Sequence, residues 1–516
     1  MWALLSGLLL GCAFPPVDLK WLVWVGLVPL LWTLTETRST FRAIILGWLA
    51  GLAFFLLTLH PLVSVHSWTG WSTEAVSAFT GRMTRQWWFM QEIWAVFALW
   101  SAGFWAVWAG LTQRFGRHRG LLVLVAPAAW VLLPEWARSR TVFDFQWGFL
   151  GNAAADVPAI RQLAALGGIW LLSAVVVLVN LGCLELVRRD RQPGGARRAA
   201  LIWSLVLLGA VGGLWRLHQP LAGGAPLRVA VIQRYKTEYA LEEFTATGLD
   251  RNYLEMIQEA LARQLDLLVL PESVAIGATS LDGTPSRTKP PAFQIPRSKW
   301  EAQAARWLSG TPTMLIVGLD TVEHNEDHNT LVAWTAEGAV GWYHKRRLVP
   351  FSEYHPAGWG PQALRGRSEY FPGQGTQLIR APQAVIGGFI CQEVLVPWVT
   401  RESVRDGATL LVTGGNDGVF GDPAVARVHA DVAQLRAVET GRYVVRAMKS
   451  GISAVIDPHG RELVRSRSAE PVILYEAVRP LTGQTPYVRF GDWVVWLSAA
   501  GLVVAGLLYN PRTPTV

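Results

Sequence analysis

Seven apolar stretches, cut apart by short loops that carry arginines, fill the first 215 residues and limit the fold before anything else does. They cover residues 1–14, 21–34, 43–62, 87–111, 120–133, 163–186 and 199–214. A helix needs about 20 apolar residues to cross a bilayer. The first two stretches are short, meet at a Pro15-Pro16 turn and predict a hairpin of tilted or incomplete spans. The stretch at 120–133 is also short and holds Pro127. Composition agrees with a membrane setting. Only 16% of residues are charged, against about 25% in soluble domains, and the 27 tryptophans suit aromatic belts at the two interfaces.

The loop charges predict a direction. Arg38 and Arg42 follow the second stretch; Arg114, Arg117 and Arg119 follow the fourth; Arg188, Arg189, Arg191, Arg197 and Arg198 follow the sixth. Basic loops stay on the cytoplasmic side. Seven spans then place the chain after residue 215 on the outer face, and an apolar stretch at 493–508 brings it back. Much of the net charge of +8 is explained by these loops, so no nucleic-acid partner is called for.

After a Gly/Pro-rich linker at 216–226 the pattern changes. Short β-type runs at 227–233, 265–270, 314–320, 330–335, 339–346, 385–390, 409–413, 443–448, 453–456 and 472–476 interleave with helical stretches at 238–263, 298–308 and 423–441. That is the signature of an α/β domain. The expected organisation is a helical membrane part over 1–215, the linker, a catalytic domain over 227–482, and a final span with a short tail over 483–516.

Three β-runs of this domain end in a reactive side chain. Leu268-Val269-Leu270-Pro271 leads to Glu272; Gly341-Trp342-Tyr343-His344 leads to Lys345; Phe389-Ile390 leads to Cys391, followed by Gln392 and Glu393. A cysteine at a strand end is held rigidly and can be met by a base and a cation from neighbouring strands, whereas a lone buried cysteine is ordinarily a packing residue. Cys12 and Cys183, inside apolar stretches, read as packing residues, and no CxxC pair suggests zinc or a disulfide. Gly387 and Gly388 predict the close approach of another backbone. No HExxH, P-loop or strand-anchored GxGxxG is present, so neither a metal nor a nucleotide cofactor is called for.

Glu272, Lys345 and Cys391, in this order and spacing, resemble the Glu-Lys-Cys triad of the nitrilase, or carbon–nitrogen hydrolase, superfamily. With the membrane segments on either side, the whole chain resembles the apolipoprotein N-acyltransferase family. Further stretches carry the likeness: Leu348-Val349-Pro350-Phe351 with Glu353, Asn416-Asp417, His429, Gly451, Gly483-Gln484-Thr485-Pro486-Tyr487, and Trp130 with Glu135 and Arg138. The resemblance implies a polytopic α-helical protein of the bacterial inner membrane carrying a nitrilase-like αββα sandwich of four layers on its outer, periplasmic face. It implies transfer of a phospholipid acyl chain, through a Cys391 thioester, to the amine of a diacylated apolipoprotein. Glu272 would be the base and Lys345 the oxyanion partner, helped by the Gln392 N–H, with Glu353 and Glu393 in support. The sequence departs from the family pattern at Gln392 (usually Tyr), Arg234-Tyr235-Lys236, Val419 (usually Trp) and 143–147. The same residues leave open another amine acceptor, or a membrane-tethered amidase that delivers the acyl group to water. A transporter or scaffold with an inactive domain is opposed by the complete triad.

Overall fold

The computed structural model describes residues 1–62, 80–116, 119–141, 146–188, 194–234, 247–249, 251–350, 352–354, 370–420 and 422–509. Two compact units divide the chain, with boundaries between Gln219 and Pro220 and between Arg489 and Phe490. The first boundary falls inside the expected linker. At the second, residues 483–489, expected with the last span, belong to the α/β unit.

Among the described residues of the helical unit five helices are long and apolar enough to cross a membrane: Thr40–Thr58, Gln91–Gly116, Leu121–Arg140, Ala164–Val187 and Gly195–Leu217. Trp2–Cys12 and Trp493–Leu508 are shorter apolar helices. The stretch at 21–34 is broken into a 3₁₀ turn, Lys20–Trp24, and a short helix, Val28–Glu36. The stretch at 120–133 turns out longer than expected. Beyond Trp130 it continues through a widened π turn, Val131–Ala137, that contains Pro134. Such a turn takes in a residue that has no N–H to give.

That widened turn carries Glu135 and starts the segment that holds Arg138, both buried. Glu135 accepts hydrogen bonds from Trp130 Nε1 (3.0 Å) and the Leu150 N–H (2.9 Å). Arg138 donates to the carbonyls of Pro134 and Trp147, each at 2.7 Å, and lies against the rings of Phe55 and Phe149. Charges inside an apolar bundle persist only with such partners.

The helix ends sort into two groups. Arg188 donates to Thr35 and Glu36 and stacks on Trp32; Gln113 bonds Thr37 and Thr40; Arg114 meets Tyr509. At the other end Lys20 meets Asp156, Arg216 meets Gln162, and Asp492 is held by Trp170 and Arg140. The loops bearing Arg38, Arg114 and Arg188 thus share one end with the last helix's C-terminus.

Among its described residues the α/β unit has fourteen strands: β1 (Leu227–Gln233), β2 (Leu267–Val269), β3 (Ala278–Ser280), β4 (Gln294–Pro296), β5 (Met314–Glu323), β6 (Glu326–Thr335), β7 (Gly338–His344), β8 (Ile379–Arg380), β9 (Val385–Ile390), β10 (Leu410–Gly415), β11 (Val444–Met448), β12 (Ala454–Ile456), β13 (Glu462–Arg465) and β14 (Val472–Val478). One sheet runs β14-β1-β2-β5-β3-β4, with β6 on β5 and β7 on β6; the other runs β13-β12-β11-β10-β9-β8. Parallel pairing joins β1, β2 and β5, and also β9, β10 and β11. These runs are mainly apolar and almost wholly buried, as parallel strands between layers must be.

The two sheets pack face to face, β1 on β11 and β6 on β9. Helices Arg251–Leu261 and Arg297–Leu308 cover the first sheet, burying Tyr253, Ile257, Trp300 and Leu308 against Leu268, Leu315 and Val317. Helices Pro397–Arg405 and Pro423–Thr440 cover the second. The latter helix is bounded by an Asp422 cap on the Ala424 N–H, Pro423 in its first turn and Gly441 at φ 65°. The result is the expected four-layer αββα sandwich.

The two groups of helix ends generate a topological prediction. A reporter of membrane sidedness fused after Leu214 and another fused after Val516 should give opposite readouts. Matching readouts would mean that the chain crosses the membrane one time more or fewer than the alternating loops require.

Candidate active site

Glu272, Lys345 and Cys391 come from three different strand ends and converge. Glu272 follows β2, where the backbone of Pro271 is tied to β5 by the Gly318 N–H (3.1 Å). Glycine is required there: a Cβ on Gly318 would lie 2.3 Å from Pro271 O, and one on Gly414 would lie 3.1 Å from Glu272 N. These are the close backbone approaches that were expected at Gly387 and Gly388. At those two positions the neighbours are side chains instead, Ser403 and Ala408 at Gly387 and the Tyr343 ring, 2.6 Å from a would-be Cβ, at Gly388.

Cys391 ends β9 in the left-handed region, at φ 52°. A non-glycine residue there is strained, a condition that gathers at functional sites. The residue opens a 3₁₀ turn, Cys391–Leu395, whose first N–H groups have no acceptor within the turn. The thiol is buried beside Glu272, and the two groups shift each other's titration. Burial, followed by the nearby Glu272 charge, pushes it well above the usual thiol range, while Lys345 pulls it down.

Lys345 ends β7 and is almost wholly buried. Its Nζ lies 2.7 Å from Glu353 Oε1 and 3.8 Å from Glu272 Oε1. Burial alone would lower its pKa, but Glu353, Glu272 and Cys391 together raise it, so the ammonium persists. Burial raises the Glu272 carboxyl above the ordinary carboxylate range; Lys345 opposes this and Glu353 adds to it. Glu353 is fixed by the Val349 N–H (2.8 Å).

Glu393 is fully buried and is held chiefly by backbone. It accepts from the N–H groups of Ile390 (2.7 Å), Arg346 (2.8 Å) and Arg347 (2.9 Å), and from the Tyr343 hydroxyl (2.9 Å). One carboxylate therefore joins the strand end that carries Cys391 to the turn that follows Lys345. Gly388 makes this possible, since its missing side chain is the space that the Tyr343 ring occupies. Gln392 is partly buried in the 3₁₀ turn.

Near Cys391, Asp417 pairs with His429 (2.7 Å) and Arg446 (3.0 Å), all buried. One residue of the site went unseen in the sequence. Asn329 Nδ2 donates to Glu272 Oε1 and, at 3.2 Å, to Glu353 Oε1. Its place opposite Lys345 follows from the β6–β7 hairpin, in which the Lys345 N–H donates to Asn329 O (2.8 Å). Of the departures from the family pattern, residues 143–145, 235 and 236 and the side chain of Val419 lie outside the described residues.

Comparison with known proteins gives this geometry its context. Residues 6–182 match the family described as apolipoprotein N-acyltransferase N-terminal domain, and residues 228–487 match carbon-nitrogen hydrolase. An apolipoprotein N-acyltransferase of Gloeobacter violaceus is 34% identical over 99% of this chain and 93% of its own length. The chain belongs to the apolipoprotein N-acyltransferase family. Another member, from Geobacter metallireducens, is 28% identical over 99% of this chain and 95% of its own. An amidase of the nitrilase superfamily from Nesterenkonia is similar over 54% of this chain and 98% of its own, at 20% identity and a TM-score of 0.38. The family is one of membrane-bound acyltransferases that act in lipoprotein biosynthesis, and the α/β unit is its carbon–nitrogen hydrolase domain.

The Glu393 clamp yields a stability prediction. Glu393→Ala leaves three backbone N–H groups and a phenol without their acceptor, at about 1–3 kcal/mol for each donor that stays dry. Glu393→Gln keeps one oxygen but turns an N–H₂ toward a donor. Thermal unfolding in detergent should rank wild type above Gln and Gln above Ala. An Ala variant as stable as wild type would refute the clamp.

Proposed function

We propose that this family member takes an acyl chain from a phospholipid and passes it, through a thioester on Cys391, to the N-terminal amine of the diacylglyceryl cysteine of an apolipoprotein. The reading rests chiefly on one arrangement: a buried thiol at a strained turn beside Glu272, with the Lys345 ammonium balanced between two carboxylates. We place the reaction on the outer face of the bacterial inner membrane, in line with the alternating arginine loops.

Glu272 acts as the base. As Cys391 Sγ attacks the ester carbonyl, its proton passes to Glu272. The tetrahedral oxyanion is stabilised by Lys345 and by the Gln392 N–H. The C–O bond breaks, and the lysophospholipid leaves with the proton held by Glu272. In the second half the incoming amine attacks the thioester, Glu272 takes the amine proton, and the C–S bond breaks. The proton then returns to the Cys391 sulfur and an amide remains. Glu353 and Glu393 do not touch the reacting atoms in this scheme. Glu353 orients Lys345, and Glu393 fixes the two turns on which Lys345 and Cys391 depend. Burial of the sulfur keeps water from the thioester, which would otherwise be hydrolysed.

The overall reaction is checked by mass spectrometry of a diacylated lipopeptide incubated with the enzyme and a defined phospholipid. The lipopeptide should gain the mass of one acyl chain. Release of free fatty acid with the lipopeptide unchanged would replace the transferase with a hydrolase.

The two charged partners of Cys391 separate by pH. The raised carboxyl of Glu272 must be ionised to act, so acylation should fall away on the acid side at a pH above the ordinary glutamate value of about 4.3. In Glu272→Gln the base is lost, and with it the charge that raises the thiol, so alkaline pH should restore part of the thioester formation. Lys345→Met loses the oxyanion partner, a deficit of roughly 10²–10³ in rate, and alkaline pH should restore none of it. Equal recovery in both variants would show the two roles to be wrongly assigned.

A further inference from the structure

Two carboxylates and one ammonium occupy the floor of the site. Glu272 Oε1 and Glu353 Oε1 both face Lys345 Nζ, at 3.8 Å and 2.7 Å. The same two oxygens accept from a single nitrogen, Asn329 Nδ2. Four polar atoms thus form a closed set in which acceptors and donors alternate. Two carboxylates this close, with one ammonium to share, tend to retain a proton between them. A proton held on Glu272 would leave Cys391 without a base. The amide N–H₂ of Asn329 supplies donors that carry no charge and cannot give their protons away.

A second observation concerns the other end of the amide. Asn329 Oδ1 is buried and, among the described residues, has no hydrogen-bond partner. The side chain is therefore held by its donor end alone. An amide present only to fill space or to bridge two strands would be satisfied at both ends.

We infer that Asn329 is a positioning residue that keeps Glu272 ionised, by standing as a neutral double donor between Glu272 and Glu353. This rests on the reading of Glu272 as the base. It assigns Asn329 no contact with substrate. Its effect reaches the reaction through the protonation of Glu272 and through the spacing that leaves Glu272 free to accept from the thiol. The charged and titratable groups around Glu272 are Lys345 beyond β7, Glu353 and Tyr370 in the segments after it, and Cys391 beyond β9. Lys449 beyond β11 bonds the carbonyl of the next residue, Ser273, at 3.1 Å. Unlike each of these groups, the Asn329 amide donates without titrating.

The test is the pH dependence of thioester formation on Cys391, followed with a phospholipid that carries a fluorescent acyl chain, in the full-length protein. Asn329→Ala removes a hydrogen bond to a charged group, so the acid-side fall should move to higher pH by about one to two units. The rate on the alkaline plateau should be far less affected. Asn329→Asp, of equal size, adds a third negative charge and should move the fall further in the same direction. It also serves where the alanine variant fails to fold, as judged by thermal unfolding. A uniform loss at every pH with the acid-side fall unmoved would overturn the proposal, since that is what a purely structural role produces. Glu272→Gln distinguishes the two levels of the argument. If the acid-side fall stays at its wild-type position in that variant, Glu272 is not the base, and the reading of Asn329 falls with it. If the fall moves there to the alkaline range of the thiol but stays in place in both Asn329 variants, only the role of Asn329 is refuted.

Discussion

A fully buried carboxylate with backbone partners, Glu393, is the contact on which the geometry of the site depends. Cys391 and Lys345 belong to different sheets of the sandwich, one at the end of β9 and the other at the end of β7. Nothing in sheet pairing fixes their separation. Glu393 does so by accepting N–H groups from both strand ends at once. Hydrogen bonds from backbone donors to an ionised acceptor are short and strong, and here they cannot relax by rotation of a side chain. Gly388 and the Tyr343 ring are consequences of the same arrangement, because the phenol reaches the carboxylate only through the space a glycine leaves.

The electrostatics follow from burial. Glu272, Lys345 and Cys391 have all been taken out of water, which raises both acids and would by itself lower the lysine. The carboxylates reverse the effect on the lysine. The thiol is pushed toward its protonated form, and the carboxylate of Glu272 beside it has been made more basic than an exposed glutamate. A pair of this kind exchanges a proton only when an electrophile begins to take up the charge on sulfur. That suits the thioester chemistry proposed for Cys391, in which the site has to remain inert toward water.

Much of this could be read from the chain. Apolar strand-like runs that stop at Glu272 and Cys391 showed where those side chains emerge, because parallel strands buried in the sandwich are legible as apolar runs, whereas Lys345 ends the antiparallel, partly exposed β7. The helical unit was legible as segments, yet the length of the one that holds Pro127 was not, since Pro134 signals a stop and a π turn carries the helix past it. Short strands such as β3, β4 and β8 left no periodic trace. Asn329 stayed hidden for a sharper reason. Counting back from the β6–β7 turn pairs Thr335 with Gly338 and Trp334 with Ala339, which would set Lys345 against His328. A bulge between Ala333 and Trp334 shifts the register by one, so that Thr330 meets His344 and Asn329 meets Lys345. One extra residue exchanges the two faces of a strand, and no feature of the sequence announces it.

The division of the helical unit across the chain bears on the order of synthesis. The helix Trp493–Leu508 packs among helices made long before it: Asp492 is held by Trp170 and Arg140, the Trp493 indole donates to Leu166 O, and Trp136 lies edge-on to Trp496. Those partners wait, unfinished, while residues 220–489 are made. An incomplete chain therefore has an incomplete bundle, with the Leu166 carbonyl and the Arg140 guanidinium still lacking the contacts that the last helix brings. Completion of the helical unit is in this sense a report, at the level of packing, that the catalytic segment between its two parts has already been produced.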